Sequence, residues 1–285
     1  MKYLMYSVDY DFSVPYITVN SPLSGQLGNQ FFQVNLAIQM AIALDSTVLV
    51  SKNDVLSLCR ESKIFKKQYL GGFKLRKVYR LPREYILSED TASIISLCRS
   101  VLSLGKILEI PSGILGDVFY KFLQVEPREL FKPKSSYLFS SDKQNEPHNR
   151  VALHFRGGDF QSWKPSYVMD AAFYRKVLEH LDLPAEYVDL YTDDTNHPTV
   201  IELKKLDMVG AIYCSKDFGV DFWKLSQYRT IVISPSTFAV WASILGVRKS
   251  IYYNKNWFLR DVSHETFWRK FTENQGNLAD RVIGI

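Results

Sequence analysis

The stretch VALHFRGGD, residues 151–159, decides the expected fold of this chain. Its first five residues, Val151–Phe155, are almost all apolar and predict a buried β-strand. Two glycines come soon after the strand, where they allow the backbone to turn and to approach a ligand closely. The stretch therefore predicts the first strand of a domain whose ligand site begins where that strand ends.

Strands and helices are predicted to alternate from this stretch almost to the C-terminus. Apolar residues spaced by three and four predict a helix within 167–181. The further strands are Tyr187–Tyr191, Ala211–Cys214, Thr230–Ile233 and Ser250–Tyr253, and the further helices are Thr199–Leu206, Asp217–Tyr228 and Ser236–Leu245. This alternation predicts a parallel, doubly wound sheet. Ligands bind beyond the carboxyl ends of the strands in such sheets, so the loops after the strands are expected to line one crevice.

The N-terminal part predicts a second, smaller α/β domain. A strand is expected at Tyr16–Asn20, a helix buried on several sides at 31–41, a strand at Thr47–Val50 and a long helix at Ser88–Leu108. The polar segment 136–149 is the most linker-like part of the chain. We therefore expect one α/β domain over 1–145 and a ligand-binding domain over 146–285, with a C-terminal segment that could pack back on the first domain.

Composition excludes several classes of protein. The 285 residues carry a formal net charge of +5, and 46% of them are hydrophobic, which argues against disorder. No basic stripe recurs along the chain, so an anionic small molecule is a better expected partner than nucleic acid. Three scattered cysteines suit neither a disulfide framework nor a cysteine-based metal site. With no apparent signal peptide or transmembrane segment, the sequence predicts a soluble, cytoplasmic protein.

A basic region lies between Arg60 and Arg83, where nine Lys and Arg residues accompany one acidic residue, Glu61. A solvated basic surface is the simpler interpretation. An acceptor-binding patch, or a peripheral contact with a membrane surface, is the alternative.

Three elements of the second domain carry side chains suited to a diphosphate. Arg156 follows the first strand, and its planar guanidinium beside the bare backbone of Gly157 and Gly158 suits a pyrophosphate. The alternative is an Arg–Asp pair that closes a tight turn, with His154 as a hydrogen-bonded core residue.

The other two elements are an acidic strand end and a helix start. Asp193 and Asp194 could hold Mg²⁺, accept hydrogen bonds from a base or ribose, or cap the next helix. Ser236 is a natural N-cap, and the free N–H groups of a first helical turn bind anions. Together the three elements predict a nucleoside diphosphate in the crevice. The absence of Gly-x-Gly-x-x-Gly, P-loop, Gly-x-Ser-x-Gly and His-Glu-x-x-His motifs disfavours dinucleotide oxidoreductases, P-loop NTPases and the corresponding hydrolases.

Four stretches in this sequence resemble the motifs of glycosyltransferase family 11, the α-1,2-fucosyltransferases. GQLGNQFF at 25–32 is similar to G-x-L-G-N-Q-x-F, and HFRGGDF at 154–160 is similar to H-x-R-R-G-D-Y/F. YTDD at 191–194 is similar to F-S-D-D, and STFAVWA at 236–242 is similar to S-S-F-S-W-W-A. The motifs occur in the family's order and cover the chain from about residue 15 to its end.

The resemblance implies a GT-B-like α/β fold, in which two Rossmann-like domains face each other across a cleft. It implies that the first domain, 1–145, lies on the acceptor side and that the second, 146–285, binds the nucleotide-sugar donor. It implies an inverting transfer of L-fucose from GDP-fucose to a hydroxyl of an oligosaccharide or glycoconjugate, with no metal or other cofactor. The residues that it implies as catalytic are Arg156 on the β-phosphate and Asn29 near the reacting sugar. Asp159 is the third catalytic candidate, favoured as the base by its position after the turn. The implied donor-binding residues are Gly25, Gly28, His154, Gly157, Gly158, Asp193, Asp194, Ser234, Ser236, Thr237 and Phe238.

Departures from the motifs leave alternatives open. Gly157 replaces the second arginine, Pro235 precedes Ser236, and Val240 replaces a tryptophan. Another donor such as UDP-xylose, or a non-catalytic protein that binds a nucleotide sugar or a glycan, therefore stays possible. The catalytic base is also open, because Asp159, Asp170 and Asp9 are all candidates and Asp159 could instead brace Arg156.

Overall fold

The computed structural model describes residues 15–19, 23, 25–49, 55, 58–59, 78–111, 121–137, 149–163, 165–246, 248–255 and 279–285. The chain divides into two compact units, Met1–Lys132 and Pro133–Ile285. The second unit thus begins before the segment 136–149 in which the sequence predicts a linker. Asp9, most of that segment and the basic residues from 60 to 77 lie outside the described residues.

The first unit contains a four-stranded parallel sheet in the order β2-β1-β4-β3. Its strands are β1 (Tyr16–Val19), β2 (Thr47–Leu49), β3 (Val78–Arg80) and β4 (Ile107–Ile110). Its helices are α1 (Leu27–Ala43), α2 (Arg83–Ser88), α3 (Thr91–Ser103) and α4 (Pro127–Leu130). The prediction of β1, α1 and β2 is confirmed, whereas the sequence did not indicate β3 or β4.

Helix α1 is buried along most of its length, and its buried face includes polar residues as well as apolar ones. The carboxamide of Gln39 pairs with the backbone of a distant segment. Its Nε2 donates to the carbonyl of Val125 at 2.6 Å, and its Oε1 accepts from the amides of Gln124 and Val125 at 2.7 and 3.0 Å. These bonds satisfy the buried amide and fasten α1 to the chain that precedes α4.

The predicted long helix at Ser88–Leu108 is wrong at its C-terminal end. Helix α3 begins after Asp90, whose carboxylate accepts from the amide of Ser93 at 2.9 Å, and it ends at Ser103. The chain then turns at Gly105, where φ is +68°, and continues as β4. Glycine tolerates this left-handed conformation, which ends the helix early.

The second unit contains a six-stranded sheet in the order β10-β9-β8-β5-β6-β7, and all of its pairings are parallel. Its strands are β5 (Val151–Phe155), β6 (Val188–Thr192), β7 (Ala211–Tyr213), β8 (Thr230–Ile233), β9 (Arg248–Tyr253) and β10 (Ala279–Gly284). Its helices are α5 (Phe160–Trp163), α6 (Ala171–Leu181), α7 (Pro198–Lys205), α8 (Phe218–Leu225) and α9 (Thr237–Leu245). Short 3₁₀ turns occur at Ser135–Tyr137, Pro165–Tyr167 and Ala185–Tyr187.

This strand order confirms the predicted doubly wound sheet. The chain proceeds from β5 through β6 to β7 on one side, then returns to place β8 on the other side of β5. The carboxyl ends of β5 and β8 therefore form the topological switch point, the usual ligand site of such sheets. The C-terminal strand β10, which the sequence did not indicate, pairs with β9 within the same sheet.

A buried polar network supports one face of the sheet. Arg150, just before β5, donates from Nε and Nη2 to the two carboxylate oxygens of Asp189 on β6, both at 2.6 Å. The hydroxyl of Tyr228 donates to the same carboxylate at 2.7 Å and lies 3.1 Å from the hydroxyl of Tyr191. Asp189 is almost fully buried, so these partners are what make its charge tolerable there.

No helix within the described ranges is both long and apolar enough to span a membrane.

Candidate functional site

The carboxyl ends of β5 and β8 are joined by a buried hydrogen bond. His154, on β5, places Nδ1 at 2.7 Å from Oγ of Ser234, which directly follows β8, although 80 positions separate them in the sequence. The imidazole also stacks on the ring of Phe238 in α9, with centroids 5.5 Å apart and planes inclined by 27°. Residues from two of the four sequence motifs therefore meet at the switch point.

His154 is held as a neutral imidazole. Burial lowers the pKa of His154 to about 3, and the nearby guanidinium of Arg156 acts in the same direction against the opposing effect of Asp193. Its backbone carbonyl accepts a hydrogen bond at 2.8 Å from the hydroxyl of Tyr174 on α6. The end of β5 is thus fixed from both faces of the sheet.

The lowered pKa of His154 predicts that stability falls in acid. The unfolded chain takes up a proton near the ordinary histidine pKa of 6.5, whereas folded His154 does so only near pH 3. The contribution of His154 is therefore fully present above pH 6.5 and is lost between pH 6.5 and 3, by up to about 1.4 kcal/mol per pH unit. Urea midpoints measured from pH 7 to pH 4 should fall more steeply for the wild type than for His154→Gln.

A matched control for this measurement is His180→Gln, because His180 lies near the end of α6 and is exposed. That variant should keep the wild-type pH dependence. Identical pH profiles for the wild type and His154→Gln would contradict the assignment.

Three neighbours among the described residues hold the Arg156 side chain in place. Its Nη2 lies 2.7 Å from Oδ1 of Asp159, its Nη1 lies 3.0 Å from Oδ2 of Asp193, and its guanidinium carbon lies 5.6 Å from the ring centroid of Phe160. The side chain is 18% exposed. The sequence leaves open an alternative in which an Arg–Asp pair closes a tight turn and His154 is a hydrogen-bonded core residue. The contacts of Arg156 and His154 agree with that alternative. They also give a guanidinium whose position is already set before any ligand binds.

A side chain at either glycine after Arg156 would come too close to a neighbouring side chain. A Cβ on Gly157 would lie 2.6 Å from Cε1 of Phe155, and a Cβ on Gly158 would lie 2.8 Å from Oδ2 of Asp193. The amide of Gly157 donates to Oδ1 of Asp193 at 2.9 Å. The Asp193 carboxylate thus bridges a guanidinium and a backbone N–H, which is the combination of donors that the sequence predicts for a phosphate.

The side chain of Asp194 accepts hydrogen bonds from two exposed neighbours. Its Oδ1 accepts from the amide of Asn196 at 2.9 Å, and its Oδ2 accepts from Nε2 of Gln161 at 3.3 Å. The interpretation of Asp194 as the cap of the next helix is wrong, because His197 is the N-cap of α7 and its Nδ1 accepts from the amide of Thr199 at 3.2 Å. Pro198, in the first turn of α7, is a sequence signal that could have identified this cap.

Helix α9 begins where the sequence predicts. Ser236 is its N-cap residue, but its hydroxyl makes no capping hydrogen bond, and its amide donates to the carbonyl of Ser234 at 2.7 Å. Thr237 and Phe238 form the first turn, whose N–H groups and dipole favour an anion. The switch point thus collects His154, Ser234, Ser236 and Phe238.

Three of the predicted site residues belong to the first unit, at the start of α1. Gly25 adopts a φ of +75°, and a Cβ there would overlap the amide of Asn29. Gly28 is buried in the first turn of α1, and the carbonyl of Asn29 accepts from Nε2 of Gln33 at 3.0 Å. The absence of a side chain at Gly25 thus leaves the space that the Asn29 amide occupies.

The remaining base candidate of the second unit, Asp170, is the N-cap of α6 and accepts from the amide of Phe173 at 3.0 Å. No group of three or more His, Cys, Asp or Glu side chains suited to a metal ion occurs in the part of the chain that the structure describes.

The strand order and the residues at the switch point define an α/β protein with a GT-B-like fold. The structure is similar to that of the α-1,6-fucosyltransferase NodZ soaked with GDP-fucose, with a TM-score of 0.50 and 12% identity over 85% of this chain and 95% of the NodZ chain. It is also similar to a point mutant of Arabidopsis thaliana FUT1 in complex with GDP, with a TM-score of 0.52 and 12% identity over 87% of this chain and 73% of that one. No protein-family model and no curated protein sequence matches the chain.

Proposed function

We propose that the protein is an inverting glycosyltransferase that transfers L-fucose from GDP-fucose to a hydroxyl group of a glycan. One observation carries the proposal: at the switch point of the sheet, His154 of one motif stacks on Phe238 of another and is hydrogen-bonded to Ser234, two residues before that second motif. The fold supports it, since the structures that share this fold include NodZ soaked with GDP-fucose and FUT1 in complex with GDP.

The chemistry needs positive charge and N–H dipoles at the leaving group. The acceptor oxygen forms a bond to the anomeric carbon and loses its proton, which ends in the solvent, while the bond from that carbon to the β-phosphate oxygen breaks. The electron pair of the broken bond passes to the diphosphate, and its negative charge grows in the transition state. In the proposal, Arg156 and the N-terminal turn of α9, with Ser236, Thr237 and Phe238, stabilise this charge. Because Arg156 is already oriented by its neighbours, little reorganisation is needed when the donor binds.

We propose that Asp159 and Asp193 position Arg156. Each carboxylate lies within 3.0 Å of the guanidinium, and Asp193 also accepts from the amide of Gly157. These contacts support a bracing role for Asp159 over the role of a base that takes the proton from the acceptor hydroxyl. Asp194 is the better candidate to meet the ribose or base, because among the described residues its Oδ2 accepts a hydrogen bond from the exposed amide of Gln161 alone, at 3.3 Å.

On the resemblance of their motif, we further assign Gly25, Gly28 and Asn29 to the side of the reacting sugar. The close approach of the Asn29 amide to Gly25 supports this assignment, because it places that side chain directly beside the glycine that begins the motif.

The proposal predicts acceptor-dependent release of GDP. The purified protein is incubated with GDP-fucose, GDP-mannose, UDP-xylose and UDP-galactose in turn, with and without a panel of oligosaccharides, and the free nucleoside diphosphate is measured. We expect turnover of GDP-fucose, with or without EDTA. Failure of the folded protein to turn over any donor would sink the proposal.

Two other outcomes separate the alternatives left open by the sequence. UDP release from UDP-xylose would keep the reaction class and change the donor. Calorimetric binding of a nucleotide sugar without transfer to any acceptor would favour a non-catalytic binding protein.

A further inference from the structure

Among the described residues, the charges in contact at the turn of Arg156 are more negative than positive. Arg156 contributes one positive charge there, and Asp159 and Asp193, both within 3.0 Å of it, contribute two negative ones. A nucleoside diphosphate would add further negative charge to the same place. Binding there therefore calls for another hydrogen-bond donor beside the turn.

His197 lies directly beside this turn. The position that a Cβ on Gly157 would occupy is 3.2 Å from Cδ2 of His197, so the missing side chain of Gly157 leaves room for the imidazole edge. The imidazole also packs on the ring of Phe155, with centroids 4.7 Å apart and planes inclined by 44°. His197 is half-buried, so its ring is held in place but still reached by solvent.

The helix cap determines which nitrogen of His197 carries the proton. Nδ1 accepts a hydrogen bond from the amide of Thr199 at 3.2 Å, so its lone pair is engaged and the proton of the neutral imidazole is on Nε2. Nε2 is bonded to Cδ2, the atom nearest to Gly157, so the N–H lies on the ring edge beside the turn. Among the described residues, Nε2 has no hydrogen-bond partner.

We infer that His197 is a donor-binding residue, whose Nε2–H donates a hydrogen bond to a phosphate oxygen of the nucleoside diphosphate held at Arg156. The inference rests on the proposed function and adds a residue that none of the four sequence motifs contains. The same contact with Thr199 that starts α7 sets the tautomer needed for binding. A fixed N–H of this kind needs no rearrangement to meet the ligand.

Two substitutions separate binding from helix capping. Asparagine can accept the hydrogen bond from Thr199, as N-cap residues do, but it lacks a donor at the position of Nε2. Glutamine can place an N–H near the position of Nε2 but does not favour the cap. His197→Asn therefore keeps the cap and loses the ligand contact, whereas His197→Gln does the reverse. His180→Asn on α6 is the matched control.

The affinities of these proteins for GDP and for guanosine are measured by titration calorimetry, together with their melting temperatures. We expect His197→Asn to bind GDP roughly tenfold more weakly than the wild type, since a hydrogen bond to a charged group is lost. Its melting temperature and its affinity for guanosine should change little. His197→Gln should keep its GDP affinity within about threefold while melting at a lower temperature.

The inference is overturned if His197→Gln binds GDP more weakly than His197→Asn does. If His197→Asn binds GDP as the wild type does, His197 serves only as the helix cap. Equal losses for GDP and guanosine would place its contact away from the phosphates, which also overturns it. If the wild-type protein binds no nucleoside diphosphate, both the inference and the proposed function are overturned. If the wild type binds GDP and His197→Asn binds it equally well, only the inference is overturned.

Discussion

Replacing Arg156 with alanine is expected to lower kcat/KM for the donor by roughly 30-fold to several thousand-fold, which corresponds to about 2–5 kcal/mol of transition-state stabilisation. Two physical effects add. The charge that grows on the leaving diphosphate loses its guanidinium, and the carboxylates of Asp159 and Asp193 lose the cation that lies between them. The measurement is the steady-state rate of nucleoside diphosphate release.

The surface of α6 offers a matched control for the arginine. Arg175 is about half exposed and lies 3.9 Å from Glu179 one turn along the helix, so Arg175→Ala should leave the rate unchanged. Arg156→Lys should recover only part of the activity, because an ammonium cannot reproduce the planar fork that meets two partners at once. A value of kcat/KM within threefold of the wild type for Arg156→Ala would contradict the role of this residue.

Replacing Asp189 with alanine is expected to destabilise the protein by about 3 kcal/mol. Asp189 is almost fully buried and accepts both hydrogen bonds from Arg150 and one from Tyr228. Its removal leaves a guanidinium whose side chain is only 21% exposed without its partner, and a buried hydroxyl that must find another acceptor. The midpoint and slope of urea denaturation give the loss in the free energy of unfolding.

Glu179→Ala is the control for this second substitution, because it removes the acidic partner of an exposed ion pair and should cost less than about 0.5 kcal/mol. Asp189→Asn keeps an acceptor for Tyr228. Its loss in the free energy of unfolding should therefore fall between the losses for Asp189→Ala and Glu179→Ala. A loss below about 1 kcal/mol for Asp189→Ala would show that solvent replaces the network without much cost.

The sequence predicts the second unit better than the first for a physical reason. The strands β5 and β8 are short apolar runs whose hydrophobic pattern is local, and the helices between them show the spacing expected of one buried face. The first residues of β4 are instead predicted to end a helix, because their apolar side chains continue the pattern of α3. Gly105, which adopts a positive φ, lies where the helix ends and the chain turns toward the strand.

The candidate site, like the fold, is predictable from the sequence only where its signals are local. Motif residues such as His154, Arg156 and Ser236 could be assigned from local patterns at strand ends. The hydrogen bond between His154 and Ser234 and the contact between Gly157 and His197 join positions that lie far apart in the sequence. Such contacts depend on strand order, which a single sequence does not specify. The double pairing of Arg156 with Asp159 and Asp193 is a further case, since only its nearer partner was suggested by spacing.

The hydrogen bonds of Gln39 bear on how the first unit is made in the cell. Helix α1 leaves the ribosome early, yet the backbone that satisfies its buried carboxamide is 86 residues further along the chain. Until Val125 has been synthesised, that carboxamide must stay in water or take a temporary partner, because burying it alone would cost about 1–3 kcal/mol. The first unit therefore completes its packing only after nearly half of the 285 residues have been translated.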